Sequence, residues 1–186
     1  MLKYITENKI LFFLLKAFGL YLFWYMLYDL WLHPKGNLDN IVSNNLAFLS
    51  SLIISSLGFT PIDSAAISTE NITVIGIDGT HGLWVGDACN GITLFALFVG
   101  FIIVYPGRII NKLWFIPIGM LIIHIINIIR IVSLCLIVFY APDALNFNHT
   151  YTFTIIVYAV VFGLWLLWSN KYAHFSRLSS IEKQIQ

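Results

Sequence analysis

Gly86-Asp87-Ala88-Cys89-Asn90-Gly91-Ile92, followed by an apolar run to Tyr105, sets a cysteine between small and polar residues at the entry to a hydrophobic helix. Pro106-Gly107 stops that helix. The stretch from Cys89 to Tyr105 is 17 residues, or about 25 Å at 1.5 Å per residue. A hydrocarbon core is about 30 Å thick, so Cys89 is expected at or slightly below one membrane boundary, in a recess. Unpaired N–H groups and the dipole of a first helical turn favour a thiolate there. Gly86 and Gly91 leave room for another backbone to approach. A small buried residue is the usual fate of a cysteine. Two further residues that are costly in a membrane, Arg130 and His149, argue for more.

The composition fixes the class. Of 186 residues, 59% are hydrophobic and 10% charged, against about 25% charged in a soluble domain. The chain is an integral membrane protein with room for a single domain. A net charge of +1 gives no reason to expect nucleic acid, and two cysteines make no disulfide framework.

The run Ile10 to Leu32 follows Lys3 and Lys9, is too long for a signal-peptide core and precedes no small-x-small cleavage site. It reads as a retained membrane helix, with Lys16 able to snorkel. Leu38 to Leu57 differs. Asn40, Asn44, Ser51 and Ser55 fall on one face, with Ile41, Leu46, Leu49, Ile53 and Leu57 on the other side. That pattern predicts an amphipathic helix lying along the interface or packed obliquely. Residues 61–87 form a hairpin or loop: Asn71 to Ile77 reads as a strand, Asp78-Gly79 as a turn and Leu83-Trp84-Val85 as the returning strand. Helices follow over 89–105, 113–140 and 150–168. Pro117 falls in the first turns of the second, where proline is tolerated. Trp165 and Trp168 are placed like an interfacial belt in the third. Residues 169–186 form a cytoplasmic tail.

Charge sets the orientation. If 38–57 does not cross, Lys3, Lys9, Arg108, Lys112, Lys171, Arg177 and Lys183 share one side and Lys35 stands alone on the other. A fifth span through 38–57 gives six against two, a poorer fit to the positive-inside rule. The expected fold is all-α, with about four transmembrane helices, the amphipathic helix and a small extracytoplasmic β-hairpin. Both termini are expected on the inner side of the cytoplasmic membrane, with the hairpin, Cys89 and His149 on the outer side.

Arg130 belongs to His124-Ile125-Ile126-Asn127-Ile128-Ile129-Arg130-Ile131-Val132-Ser133. Polar residues three apart wind by 60° on a helix, so Asn127 and Arg130 share a face while His124 and Ser133 diverge. An arginine at the centre of a spanning helix costs about 2.5 to 3.5 kcal/mol on translocon scales, which marks it as functional by default. The structural alternative is an ion pair with Asp29, Asp87 or Asp143. Arg130 lies about 15 Å before Tyr140 along the axis, deep enough to meet a recessed cysteine.

His149, in Asn146-Phe147-Asn148-His149-Thr150, opens the last helix on the same side as Cys89. An imidazole there can take a thiol proton and later protonate a leaving amine, or simply cap the helix. His81 and His33 compete for the base role, whereas His124 and His174 fall toward the cytoplasm. Cys135, among Ser133-Leu134-Cys135-Leu136-Ile137, reads as packing. A thiol–disulfide enzyme would need a cysteine pair, and these two are 46 positions apart on different helices. Haem would need histidines at matched depth, and no His-Glu-x-x-His zinc signature occurs.

Ala88-Cys89-Asn90-Gly91-Ile92, then Asn127-x-x-Arg130 in the next span and His149 at the start of the last, resembles the exosortase/archaeosortase family. The likeness runs roughly from Leu38 to Trp168 and includes the preceding hairpin. The family usually has serine after the cysteine, where this chain has Asn90, and its larger members have more spans. The resemblance implies a compact membrane cysteine protease–transpeptidase. Its substrates would be exported proteins ending in a short motif, a transmembrane helix and a basic tail. It implies Cys89 as nucleophile, Arg130 as oxyanion stabiliser or substrate positioner and His149 as general acid/base. Asn90, Gly91 and Asn127 would contact substrate, with no cofactor or metal. Expected partners are those substrates and the lipid bilayer, not nucleic acid. The competing expectation is a non-catalytic membrane scaffold or partner subunit of an export system.

Overall fold

A computed structural model describes residues 9–35, 37–62, 73–86 and 89–173. Among the described residues, five helices of 13 residues or more carry the fold. Helix α1 is Lys9–Leu27, continued by a wide π turn over Tyr28–Leu32, and α2 is Asn37–Ser56. Strands β1 (Thr73–Ile75) and β2 (Leu83–Val85) precede α3 (Ile92–Val104) and α4 (Ile109–Tyr140). A π turn over Asn148–Thr152 then leads into α5 (Phe153–Leu167).

Helix α4 is the hub. Its 32 residues make it about 48 Å long, with buried side chains from Phe115 to Val138. Helices α2, α3 and α5 all pack on it. It begins at Ile109, four residues before the expected Leu113, so Pro117 lies inside the helix rather than in its first turns. The lost backbone hydrogen bond is tolerable in an apolar helix covered by neighbours. Gly119 lets α3 come close, since a Cβ there would overlap the Phe98 ring.

Helix α2 exposes Asn44 and Ser55 of its expected polar face and buries Leu46 of its apolar one, while Ile41 and Ile53 of that apolar face are exposed. Its buried stripe is Asp39, Ser43, Leu46, Ala47, Ser50 and Ile54, while Ile41, Phe48, Leu52 and Ile53 are exposed. The stripe packs on α4 and β1.

The two expected strands pair antiparallel. Val74 pairs with Trp84, and Thr73 and Ile75 with Val85 and Leu83. Ile77 bridges Pro61 instead of extending the ladder; Asn71 and Ile72 lie outside the described residues. Ile75, Ile77 and Val85 enter one apolar cluster with Leu46, Ile131 and Cys135, which seats the sheet on α2 and α4. A second cluster, with Phe98, Phe115, Val161 and Trp168, joins α3, α4 and α5. Trp168 is thus buried rather than part of an interfacial belt, and Trp165 stacks on Phe101 with ring centroids 4.5 Å apart.

Leu11–Leu32, Ile109–Tyr140 and Pro142–Tyr172 are each long and apolar enough to cross a membrane. Helix α3 is apolar but has 13 residues, about 20 Å. It is shorter than expected because Cys89 to Gly91 form a turn.

Candidate active site around Cys89

Cys89 does not sit in a first helical turn, so the dipole argument loses its basis. Instead a short turn presents it. The Cys89 N–H donates to the Gly86 carbonyl at 2.8 Å. The Asn90 side-chain oxygen accepts from the Ile92 N–H at 3.0 Å, and Gly91 takes a left-handed φ of 87°. That φ suits glycine alone.

The turn is anchored from both sides. Asn90 Nδ2 donates to Asp39 Oδ1 at 2.8 Å, and the Tyr28 hydroxyl donates to the same oxygen at 2.7 Å. Asn90 and Asp39 are both buried. On the other side Asn127 Nδ2 donates to the Cys89 carbonyl at 3.0 Å. A Cβ on residue 91 would stand 3.1 Å from that same Nδ2. Asn90, Gly91 and Asn127 therefore shape the cysteine turn directly. Asp39 escaped the sequence reading, although a signal existed: it is the only charged residue in the 20-residue α2, and a lone charge in an apolar helix needs a partner or a role.

Asn127 and Arg130 share a buried face of α4. Arg130 Nη2 lies 3.3 Å from His149 Nε2 and 3.9 Å from Cys89 Sγ. The sulfur is 3.4 Å from His149 Nε2. Three residues from separate elements thus meet at one point. Among the described residues Arg130 pairs with these two groups and not with a carboxylate; Asp87, one proposed partner, lies outside them. Arg130 Nε and Asn127 Oδ1 are buried and have no hydrogen-bond partner among the described residues.

The other described histidines stand elsewhere, and His174 lies outside the described residues. His33 stacks on Tyr28 with centroids 5.5 Å apart, His81 is exposed, and His124 pairs with Asn45 at 3.0 Å. Cys135 is buried in the apolar core.

With the Arg130 N–H donating, His149 Nε2 is the acceptor nitrogen of a neutral ring, and the Cys89 S–H can donate to the same atom. One cation faces both groups. A cavity of about 370 Å³ opens at His149, walled by Leu83 and Trp84 on one side and by Pro142, Asp143, Leu145 and Asn146 on the other.

No curated protein and no solved structure matches the chain. The transmembrane exosortase family matches residues 4–168. The match takes in α1 as well as Cys89, Asn127, Arg130 and His149, and so reaches further toward the N-terminus than the motifs alone. Matched over most of its length, the chain belongs to the transmembrane exosortase family.

Proposed function

We propose that this membrane protein is a cysteine peptidase–transpeptidase that removes C-terminal sorting tails from exported proteins at the outer face of the cytoplasmic membrane. The observation that carries this is the meeting of Cys89 Sγ, Arg130 Nη2 and His149 Nε2 within 3.3–3.9 Å in an exosortase family member.

Cys89 Sγ bonds the scissile carbonyl carbon while its proton passes to His149 Nε2. The carbonyl electrons move onto oxygen, where the guanidinium supplies donors, among them the unpartnered Nε–H. Collapse breaks the C–N bond, and His149 returns the proton to the leaving amine. The tail departs and a thioester remains on Cys89. An incoming amine or water then attacks the thioester, His149 takes its proton, and the thiol is restored as the acyl group leaves.

The test is a comparison of C-terminal peptides from membranes holding the wild type or Cys89→Ala. Exported proteins should keep their transmembrane tails in the variant and show a new C-terminus in the wild type. Identical C-termini in both would defeat the proposal.

A further inference from the structure

One wall of the cavity beside His149 is a strand edge. β1 covers one edge of β2, and among the described residues no strand pairs with the other. Leu83 and Trp84 point to opposite faces of a strand, yet both line the cavity. The cavity therefore runs along the edge of β2. The strand leads straight to the nucleophile turn: Gly86 follows Val85, and its carbonyl holds the Cys89 N–H.

We infer that this groove is the substrate subsite on the acyl side of the scissile bond, and that it takes about two extended residues of the exported protein as a third strand on β2. The inference rests on the peptidase reading above. Hydrogen bonding separates the possible occupants. A helix satisfies its backbone groups internally and has none to offer a strand edge, whereas an extended segment presents N–H and C=O groups to it. β2 is three residues long, so the paired stretch is short, about two residues. The tail helix stays in lipid and the unwound segment before it enters the groove. An extended segment also offers its scissile carbonyl free of helical hydrogen bonds. Its acyl side is the part outside the membrane, on the hairpin's side.

Main-chain pairing with a strand edge supplies binding, and side-chain pockets supply selectivity. Trp84 is 72% exposed, and Asp143 is the one carboxylate on the walls. An apolar or cationic side chain is accepted there, whereas a carboxylate meets repulsion from Asp143.

The test uses the full chain in its own membranes, carrying Cys89→Ala and a p-benzoylphenylalanine photo-crosslinker at position 84. A control carries the crosslinker at Ile155, which is exposed on α5. The crosslinked partner is a tagged exported protein whose tail the wild type removes. The crosslink from position 84 should fall on the two residues preceding the cleavage point. A crosslink in the tail helix, or none above the Ile155 control, overturns the groove while the peptidase reading stands. If Cys89→Ala accumulates no tail-bearing protein, the peptidase reading fails and the groove falls with it. Glutamate at the crosslinked substrate position should slow processing about tenfold, and Asp143→Asn should restore it. Unchanged processing with that glutamate would overturn the selectivity.

Discussion

Asn90 donates to Asp39 across 2.8 Å, tying the turn that carries the cysteine to the only charged residue of α2. Both groups are buried, so removing either leaves the other's polar atoms short of a partner, at a cost of about 1–3 kcal/mol. Asp39→Ala and Asn90→Ala should each lower the denaturation midpoint in detergent and slow tail removal. Because they touch, the double variant should be less impaired than the sum, with a coupling of about 0.5–3 kcal/mol. Asp39→Asn keeps an acceptor for Asn90 and should recover much of the loss. Strict additivity in the unfolding measurements would contradict the pairing.

Arg130 is expected to act through geometry as well as charge. A lysine keeps the cation but not the planar fork that faces Sγ and Nε2 together. Loss of one oxyanion donor typically costs about 10²–10³ in rate, and Arg130→Lys should fall in that range with normal abundance on a blot. If Arg130→Lys and Arg130→Ala vanish from the membrane instead, the arginine is structural.

His149 is the imidazole beside the sulfur. His149→Ala should abolish processing while His81→Ala and His33→Ala keep most of it, measured as the fraction of tagged substrate shifted on a gel. An inactive His81→Ala beside an active His149→Ala would move the base to the hairpin.

The expected sidedness rests on a charge count that would put seven Lys and Arg on the inner side and Lys35 alone on the outer. Single cysteines at Asp78 and Asn146, with Cys89 and Cys135 replaced by alanine, should react with a membrane-impermeant maleimide in intact cells. Labelling only after permeabilisation would reverse the topology.

Much of the site was legible because its signals are local. Asn127 and Arg130 share a face by helical arithmetic, and a cysteine among small residues stands out in an apolar chain. The two strands of the hairpin were legible in their β-branched and apolar residues on either side of Asp78-Gly79. The misread parts depended on tertiary contacts. Gly91 has a left-handed φ, and the start of α3 moves to Ile92 because the Asn90 side chain caps the Ile92 N–H. Trp168 fills the space between α3, α4 and α5, which no periodicity reveals. Asp39 is 51 positions from Asn90, and no local pattern links them.

The central claim is a thioester on Cys89. The most direct measurement is the mass of the enzyme's Cys89-containing peptide after rapid acid quenching during turnover of a tagged substrate. The account predicts an adduct equal to the acyl portion of the substrate, released by neutral hydroxylamine, absent in Cys89→Ala and retained in Cys135→Ala. Normal tail removal by well-expressed Cys89→Ala, or an adduct on any other residue, would contradict it.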